Sequence, residues 1–458
     1  MPSMLDLGKP KHIHFIGIGG ISMSALAMIM LNRGWTVSGS DLRESNLTDR
    51  LQNAGATITF THSAENVHGA DVIVYTSAVK PDNPELVRAK ELGIPIYARA
   101  ELLGDLIAEA TRGIAIAGSH GKTTTTAMLG VMLDLAGCNP TVLVGGELES
   151  LNGNVKVGNG NFLVAEACEY FDNFLSLKPN IGVILNIDAD HLDYFKDIEQ
   201  IKRTFRSFAE LIPEDGTLVA CVDDANVRSI LPGLGCPVVS YGLESSADWT
   251  VADLQLEAGG STFTAVHHGQ PQASVKLRVP GGHNVQNALA AIAVGHLAGL
   301  APAVMAEKLG EYRGTHRRFD YQGECNGAAI YDDYAHHPTE IKATLAAGRT
   351  YRPKRLICVF QPHTYTRTKA LMREFAQAFE EADLVIVTDI YAAREKDTYG
   401  VNSAQLAEQM QAVHPNAQYI GSLQQAAEYL RQELRPGDLL FTMGAGDVYR
   451  VAEMLLKG

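Results

Sequence analysis

The sequence predicts an α/β protein of three consecutive domains with largely parallel sheets. A chain of 458 residues is long enough for about three domains of typical size. Short apolar runs of strand length alternate with longer runs of helical periodicity, which is the pattern of βαβ units. A predicted linking helix and a later linker divide the chain into residues 1–108, 109–315 and 316–458. Polar or glycine-rich clusters follow the strands, so we expect ligand sites at the carboxyl ends of the strands.

Composition limits the classes of partner. The formal net charge is −14 and no basic run exceeds Lys354-Arg355, so nucleic acid is not expected as a partner. The six cysteines form no C-x-x-C pair, which favours a reducing compartment over a disulfide framework or a zinc knuckle. No apolar run approaches the roughly 20 residues that span a bilayer, and residues 1–10 lack the apolar core of a signal peptide. We therefore expect a cytoplasmic protein with no membrane partner.

The first domain begins with a βαβ unit around a glycine turn. Its predicted elements are a strand at 12–16, a helix at 22–32 and a strand at 36–38. The turn contains Gly17, Gly19 and Gly20, and Asp41 follows Gly20 by 21 positions, where a Rossmann fold places a ligand of the ribose. Ser22 occupies the position of the third fingerprint glycine, which weakens a dinucleotide site and leaves a plain βα turn as an alternative.

A second crossover completes the first domain. Its predicted elements are a strand at 71–76, a helix at 81–93, a strand at 95–97 and a helix at 101–110. Ser77 stands at the carboxyl end of the first of these strands. Because the carboxyl ends of parallel strands meet at one edge, we expect Ser77 and Asp41 to share a pocket with the glycine turn.

The second domain opens with a predicted phosphate-binding loop. A strand at 113–117 and a helix at 124–136 flank the segment Gly118-Ser119-His120-Gly121-Lys122-Thr123. Converging backbone N–H groups and a helix N-terminus suit a polyphosphate, with Lys122 on the outer phosphates and the Thr123 hydroxyl on Mg²⁺. The full Walker pattern has a further glycine where Ile116 stands, so a chance turn before a helix remains an alternative.

Acidic side chains follow the next strands, predicted at 141–144 and 162–165. Glu166, Glu169 and Asp172 come after the second of them, and on a helical turn they would share one face. Carboxylates at a strand end beside a phosphate loop are suited to Mg²⁺. A solvated acidic helix start is the alternative.

Two more polar clusters lie in the second domain. After a strand at 181–185, His191 stands beside Asp190, and it is either a second metal ligand or a structural histidine. Residues 281–287 open an apolar helix that is predicted to run to residue 300. The polar residues there, including Asn287, either cap this helix or hold a base or a metal-bound phosphate.

The third domain repeats the pattern of a strand followed by a polar cluster. Its predicted elements are strands at 328–331, 355–360, 384–388 and 439–443 and a helix at 338–348. Two arginines in the preceding linker, Arg317 and Arg318, either clamp a phosphate or form a solvated pair. Neighbouring His336 and His337 should point in different directions, which argues against a shared metal and allows one of them to contact substrate.

Collected in order, the motifs resemble those of the Mur ligases, the ATP-dependent amide-forming enzymes of peptidoglycan precursor synthesis. The resemblance covers the whole chain. Each motif is weak alone, but eight in the same order are not expected by chance. The matching segments are 17–20 with Ser24, 118–123, 166–169, 186–193, 283–287, 317–319, 332–338 and 360–367.

The resemblance implies a fold and an activity. The fold would comprise a Rossmann-like N-terminal domain, a central P-loop ATPase-like domain with a mostly parallel sheet, and a C-terminal Rossmann-like α/β domain. These domains would bind the UDP part of a sugar nucleotide, ATP with Mg²⁺, and the amino acid, respectively. The motifs are most similar to those of the alanine-adding branch, which joins L-alanine to the carboxylate of UDP-N-acetylmuramate through an acyl phosphate. Monomer and homodimer both remain open.

The resemblance also implies residue roles. Contacts to the UDP-sugar are implied for Gly17, Gly19, Gly20, Asp41 and Ser77. Contacts to ATP are implied for Gly118, Ser119, His120, Gly121, Lys122, Thr123, Thr124, Asn287, Arg318 and Asp332. Mg²⁺ ligands would be Thr123, Glu166 and His191. Placement of the amino acid and the acyl group is implied for His336, His363 and Arg367, which with Lys122 and His191 form the implied catalytic set.

Thr364 departs from the family pattern, because related alanine-adding enzymes often carry Arg there; recognition of the amino-acid carboxylate would then fall mainly on Arg367. Other branches use a carbamylated Lys that has no convincing counterpart in residues 201–205.

Three alternatives remain open. One is a tripeptide-recycling ligase of the same family, and another is an NAD(P)-dependent oxidoreductase, which the glycine turn favours and the phosphate loop opposes. The third is a non-catalytic nucleotide-binding regulator, which leaves Glu166, His191 and Arg367 without a role.

Overall fold

Three separate β-sheets, one after another along the chain, organise the fold. The computed structural model describes residues 5–7, 9, 11–148, 153–244, 246–397 and 399–457. Within this described part the sheets have five, ten and six strands, and most neighbouring strands are parallel. The predicted class, three consecutive α/β units with parallel-rich sheets, is confirmed. No helix in the described ranges is both long enough and apolar enough to cross a bilayer.

The first sheet is entirely parallel. Its unit contains β1 (His12–Ile16), α1 (Ile21–Asn32), β2 (Thr36–Ser40), α2 (Asn46–Asn53), β3 (Thr57–Thr59), a 3-10 turn (Ala64–Val67), β4 (Val72–Tyr75), α3 (Pro84–Glu91) and β5 (Ile96–Ala98). The strand order is β3-β2-β1-β4-β5. The order reverses between β1 and β4, where open α/β sheets form a ligand crevice.

The second sheet is the largest, and α4 (Arg99–Glu109) leads into it. Its first half contains β6 (Arg112–Ala117), α5 (Lys122–Leu135), β7 (Thr141–Leu148), β8 (Gly153–Lys156), β9 (Phe162–Ala167), a 3-10 segment (Tyr170–Ser176) and β10 (Ile181–Ile184). Its second half contains α6 (Ile198–Ala209), β11 (Thr217–Cys221), α7 (Ala225–Ile230), β12 (Val238–Tyr241), β13 (Trp249–Glu257), β14 (Gly260–His267), β15 (Gln270–Leu277), α8 (Gly282–Leu297) and α9 (Pro302–Leu309).

Strand order in the second sheet brings three loops together. The order is β15-β14-β13-β12-β11-β10-β6-β9-β7-β8, so β10 and β9 flank β6 in parallel. The loops that follow these three strands therefore leave the same edge of the sheet. All four residues of β10 are buried, as expected for a parallel strand covered on both faces.

The third sheet is parallel except for its first strand. Its unit contains β16 (Asp320–Cys325), β17 (Ala328–Asp333), α10 (Pro338–Arg349), β18 (Arg355–Phe360), α11 (Tyr365–Ala370), α12 (Met372–Ala376), β19 (Leu384–Thr388), α13 (Ser403–Gln411), β20 (Ala417–Gly421), α14 (Leu423–Glu433), β21 (Asp438–Met443) and α15 (Tyr449–Leu456). The strand order is β16-β17-β21-β18-β19-β20, with β16 antiparallel to β17.

One local prediction is wrong. Glu166, Glu169 and Asp172 do not share a helical face, because Glu166 is within β9 and the backbone then turns sharply. Phe171 and Asp172 have φ angles of 53° and 54°, in the left-handed region, inside the 3-10 segment. The antiparallel strands β13, β14 and β15 are an addition to the parallel pattern that the sequence analysis did not identify.

Close packing of α4 on the second unit depends on one glycine. A Cβ atom added to Gly104 would lie 2.1 Å from the carbonyl oxygen of Ser176, at the end of the 3-10 segment. A backbone atom cannot move aside as the end of a flexible side chain can. Gly104 therefore permits the contact between α4 and the loop that carries Glu169.

Gly104→Ala should destabilise the protein despite the better helix propensity of alanine. Overpacking of this kind costs about 1–3 kcal/mol, so we expect the melting temperature in a thermal scan to fall by roughly 2–8 °C. Gly235→Ala is the matched control, because a Cβ atom there meets no atom within 4 Å. Equal melting temperatures for the two variants would contradict this account.

Candidate functional site

The phosphate loop between β6 and α5 has the backbone conformation that the sequence predicts. Gly118 and Gly121 have φ angles of 152° and 84°, which favour glycine. A Cβ atom on Gly121 would lie 2.6 Å from Oδ1 of Asn287, so the loop is also in close contact with α8. Because α5 begins at Lys122, its N-terminal N–H groups and dipole face the loop. This arrangement suits a phosphate group.

Asn186, just beyond β10, holds this loop in place. The backbone N–H of His120 donates to Oδ1 of Asn186 at 2.8 Å, and Nδ2 of Asn186 donates back to the His120 carbonyl at 3.1 Å. The Ser119 N–H donates to the Asn186 carbonyl at 3.2 Å. The polar cluster after β10 therefore fixes the shape of the phosphate loop.

Lys122 forms a buried ion pair across the loop. Its Nζ lies 2.9 and 3.1 Å from the two carboxylate oxygens of Glu169, and the side chains are only 15% and 2% exposed. Nζ also donates to the carbonyls of Gly118 and Ser119. Burial opposes the charge, but the carboxylate of Glu169 raises the pKa of Lys122 above its ordinary value. The lysine is therefore a fixed cation at the phosphate loop.

The oxygen atoms near Thr123 suit a hard divalent cation. Oγ1 of Thr123 donates to Oε2 of Glu166 at 3.1 Å, and the backbone N–H of Gly145 donates to the other carboxylate oxygen. Burial raises the pKa of Glu166, as expected for a carboxylate whose charge is incompletely compensated. A hydroxyl and a carboxylate beside a phosphate site are ligands that Mg²⁺ prefers. The residues present therefore fit that cation.

His191 lies close to the Lys122–Glu169 pair. Its Nε2 is 3.9 Å from Oε1 of Glu169 and 4.0 Å from Oδ2 of Asp190. Burial lowers the pKa of His191, which favours the neutral imidazole that can bind a metal. Of the three predicted metal ligands, Thr123 and Glu166 are hydrogen-bonded to each other. The third, His191, lies beside Glu169 instead.

A cavity of about 480 Å³ lies beside the phosphate loop, between the second and third units. This volume is within the usual range for a small-molecule site. Five residues predicted to contact ATP line it, namely His120, Gly121, Thr124, Asn287 and Arg318. Its volume and mixed polar and apolar lining could accommodate a nucleoside beside the loop.

The third unit contributes a basic cluster that faces the second. Nε and Nη2 of Arg367 donate to Oδ1 of Asp190 at 3.1 and 2.8 Å. Nη1 of Arg367 lies 3.1 Å from Nδ1 of His363, whose ring centroid is 5.9 Å from that of His336. Burial, together with nearby His336 and Arg367, lowers the pKa of His363 to about 3, which favours the neutral imidazole. Three residues predicted to contact substrate are thus brought together.

His120 links the phosphate loop to the third unit. Its Nε2 lies 3.1 Å from Asp188 and its Nδ1 lies 3.4 Å from Glu340 at the start of α10. Burial disfavours the imidazolium, but the two carboxylates raise the pKa of His120 to about 10. Oγ1 of Thr339 also donates to Asp188 at 2.6 Å. A charged histidine therefore connects two units across the cleft.

The two neighbouring histidines point in different directions, as predicted. Nδ1 of His336 lies 3.2 Å from Oε2 of Glu340. Nε2 of His337 lies instead 3.3 Å from the carbonyl of Ala189, and its ring is 4.6 Å from that of His120.

The first unit brings its predicted residues together at a separate place. The Gly19 N–H donates to Oδ2 of Asp41 at 2.8 Å, and Gly17 has a φ angle of 84°. A Cβ atom on Gly17 would lie 2.8 Å from Cγ2 of Thr76, so the end of β4, with exposed Ser77, borders the same turn. The glycine turn, Asp41 and Ser77 therefore lie at one end of the first sheet.

Asp332 is not placed at the cavity, although the resemblance implied a contact to the ribose. It is 1% exposed, and its carboxylate is bound by Nε of Arg317 at 2.8 Å and by Oγ1 of Thr442 at 2.7 Å. Its neighbour Asp333 lines the cavity instead, and burial raises the pKa of that carboxyl to about 6. Alternation along β17 could have indicated that only one of the two carboxylates faces the cavity.

Glu340 was missed as a residue of the cavity wall. The sequence signal was present, because Glu three residues after an N-cap is the pattern of a capping box. In the structure its Oε2 accepts from the N–H groups of His336 and His337, while Oε1 faces His120.

Three family models match successive parts of the chain. The model described as "Mur ligase family, catalytic domain" matches residues 12–111, and "Mur ligase middle domain" matches residues 116–295. The model described as "Mur ligase, glutamate ligase domain" matches residues 317–446.

Similar proteins match over the full length. The UDP-N-acetylmuramate--L-alanine ligases of Alkaliphilus metalliredigens and Caldanaerobacter subterraneus subsp. tengcongensis are 50% and 51% identical to this chain. The alignments cover 99% of this chain in both cases and 98% and 99% of those proteins. The crystal structure of UDP-N-acetylmuramate-alanine ligase MurC from Thermotoga maritima is 30% identical, with a TM-score of 0.81, and the match covers 97% of this chain and 98% of that one.

Asn186→Ala should weaken nucleotide binding by loosening the phosphate loop. Losing two hydrogen bonds of about 0.5–1.5 kcal/mol each is expected to weaken ATP binding about tenfold. Titration calorimetry with a non-hydrolysable ATP analogue measures this. Asn416→Ala, which removes a side-chain bond to the Asp383 carbonyl in the third unit, is the control. ATP affinities within twofold of each other for the two variants would contradict the bracing role.

Proposed function

This chain belongs to the Mur ligase family, and we propose that it is the ATP-dependent ligase that joins L-alanine to the carboxylate of UDP-N-acetylmuramate in peptidoglycan precursor synthesis. Full-length relatives at about half identity have that name. The structural observation that carries the proposal is the contact between Arg367 and Asp190. It brings the basic cluster of the third unit to the loop that carries His191. This contact supports a phosphate site and an amino-acid site that share one cleft.

The three units suggest a division of ligands. Mur ligases use ATP, and the phosphate loop with its adjoining cavity supports placing ATP between the second and third units. The glycine turn with Asp41 supports placing the UDP group on the first unit. We keep the boundaries at 1–108, 109–315 and 316–458 as the proposed limits of these domains. Their separation supports a reaction that requires closure of the domains, which excludes water from an activated acyl group.

The proposed chemistry proceeds in two steps. The muramyl carboxylate attacks the γ-phosphorus of ATP, releasing ADP and forming an acyl phosphate. The amine of L-alanine then attacks the acyl carbon, and inorganic phosphate leaves from the tetrahedral intermediate. The first step spreads negative charge over phosphoryl oxygens, and the second places it on the oxyanion of the tetrahedral intermediate and then on the departing phosphate. Both steps therefore need fixed cations and N–H donors near the phosphate loop.

Lys122 would neutralise the transferring phosphoryl group by exchanging part of its contact with Glu169 for phosphate oxygens. Thr123, Glu166 and His191 would hold Mg²⁺, which supplies further neutralisation of that group. The two parts of this proposal rest on the Thr123–Glu166 hydrogen bond and on the position of His191 beside Glu169.

Arg367 and His363 would place the amino acid. The guanidinium can bind a carboxylate in two-point geometry, and it would then exchange Asp190 for the substrate. His363 is neutral, with a pKa lowered to about 3, so it is suited to orienting the amine rather than to storing a proton. His336 adds a third polar side chain to the same cluster. We propose that these residues hold the nucleophile near the acyl phosphate.

The remaining proposals concern partners and location. The substrates are small molecules, with ATP and Mg²⁺ as cofactors. We propose a cytoplasmic protein that acts without a nucleic-acid or membrane partner, as a monomer or a homodimer. Family membership removes the oxidoreductase and the non-catalytic regulator from consideration. The tripeptide-recycling ligase remains the alternative that an assay must distinguish.

Phosphate release with ATP, Mg²⁺ and UDP-N-acetylmuramate tests this function directly. L-alanine, D-glutamate and the recycled tripeptide are added separately, and we expect release only with L-alanine, because the full-length relatives at about half identity are named as L-alanine ligases. Release that depends on the tripeptide would assign the chain to the recycling branch instead. No release with any of the three amines would contradict the proposed ligase activity.

A further inference from the structure

Two tyrosines join the loops on either side of the phosphate loop. Tyr170 follows β9, and its hydroxyl donates to Oδ2 of Asp193 at 2.5 Å. Tyr194 follows β10, and its hydroxyl donates to Oδ2 of Asp172 at 2.6 Å. Each loop thus supplies one tyrosine donor and one aspartate acceptor. We call this reciprocal pair of hydrogen bonds the tyrosine clasp.

The clasp spans a gap that the sheet itself does not close. Strands β9 and β10 are not neighbours, because β6 lies between them. Their loops therefore meet above the end of β6, where the phosphate loop begins. Glu169 comes from one of these separate loops and His191 from the other, and their side chains lie 3.9 Å apart. A connection between the loops is needed to keep those two side chains in register.

The aromatic rings contact the histidine itself. The ring of Tyr170 stacks on that of His191, with centroids 4.4 Å apart and planes inclined by 23°. The ring of Phe171 packs against that of Tyr194, with centroids 4.9 Å apart. One face of His191 is therefore covered, which limits rotation of the imidazole, while its Nε2 stays 3.9 Å from Glu169.

The backbone adopts an unfavourable conformation at the clasp. His191, Phe171 and Asp172 have φ angles of 53°, 53° and 54°, which non-glycine residues rarely adopt. Such conformations persist only where surrounding contacts hold them, and they are concentrated at functional sites. Burial of Phe171 does not explain the strain, because its side chain is 50% exposed. The strained turns instead direct Tyr170 and Asp172 toward the other loop.

Both phenols act as donors at neutral pH. The hydrogen bond to Asp172 raises the pKa of Tyr194 to about 12. Burial, together with the bond to Asp193, raises the pKa of Tyr170 as well. Both hydroxyl groups therefore stay protonated.

We propose that Tyr170 and Tyr194 are positioning residues. They hold His191 in place to bind the divalent cation and Glu169 in place to pair with Lys122. This inference rests on the proposed function, because it assumes that His191 binds the cation of the ATP complex. It adds two residues that touch neither substrate nor metal in that proposal. Outer partners that orient a metal ligand commonly contribute about 10–100-fold to metal affinity or activity.

Three variants separate the parts of the clasp. Tyr170→Phe keeps the stacked ring and removes only the bond to Asp193. Tyr170→Leu removes both the ring and the bond. Tyr194→Phe removes the reciprocal bond. Tyr419→Phe is the matched control. Tyr419 lies on the edge strand β20 of the third unit, and its hydroxyl donates to Oδ1 of Asp389 at 2.5 Å.

The decisive measurement is the affinity for Mn²⁺ in the presence of a non-hydrolysable ATP analogue. The electron spin resonance signal of free Mn²⁺ reports how much of the ion is bound. We expect Tyr170→Phe to raise the dissociation constant about tenfold and Tyr170→Leu to raise it further. Tyr194→Phe should change it in the same direction, and Tyr419→Phe should leave it within twofold. Melting temperatures of Tyr170→Phe and Tyr419→Phe should be similar, because each variant loses one hydroxyl bond.

Unchanged Mn²⁺ affinity in folded Tyr170→Phe and Tyr170→Leu would overturn the clasp, even if their melting temperatures fell. Equal loss of affinity in Tyr419→Phe would also overturn it. The experiments distinguish failure of the clasp proposal from failure of the proposed ligase activity. A wild-type protein that binds Mn²⁺ with the ATP analogue but releases no phosphate with L-alanine would contradict the proposed function and leave the clasp testable by binding.

Discussion

The buried ion pair between Lys122 and Glu169 is the interaction on which the rest of the site depends. A lysine at the end of a phosphate loop needs a counter-charge when no phosphate is present, and Glu169 supplies it with a side chain only 2% exposed. Removing one partner of such a pair leaves an uncompensated buried charge and costs about 3–5 kcal/mol. This pair connects the start of α5 with the loop after β9. A phosphate group that binds here must compete with a carboxylate, so the site is poised for exchange of one anion for another.

The same principle recurs where the second and third units meet. His120 is held between Asp188 and Glu340, and Arg367 is held by Asp190. Lys122, His120 and Arg367, which the proposed function assigns to substrates, are therefore each paired with a carboxylate of this chain. These ion pairs supply local positive charge in a protein of net charge −14. In the proposed function, phosphate and carboxylate groups of the substrates would compete with these internal carboxylates.

Much of the fold could be predicted from the sequence, because parallel strands that are buried on both faces are continuous apolar runs. The strands at 12–16, 355–360 and 384–388 have the predicted ends. Prediction failed where a tertiary contact decides the local conformation. The turn at Phe171 and Asp172 contains no glycine that would have predicted it from the sequence. It is held by the hydrogen bonds of Tyr170 and Asp172 to the loop after β10. The general location of the candidate site could also be predicted, because polar clusters at the ends of the strands are visible in the sequence. The partner of each charge, such as Glu340 for His120, was not visible.

The central claim is that the muramyl carboxylate is activated by transfer of the γ-phosphoryl group of ATP at the phosphate loop. Labelling that carboxylate of UDP-N-acetylmuramate with ¹⁸O tests this claim most directly. The reaction is run with ATP, Mg²⁺ and L-alanine, and the released phosphate is analysed by mass spectrometry. An acyl phosphate that forms by carboxylate attack and breaks by amine attack transfers one labelled oxygen to each phosphate, and we predict that result. Phosphate without the label would mean that ATP hydrolysis is not coupled to activation of the carboxylate, and it would contradict the account.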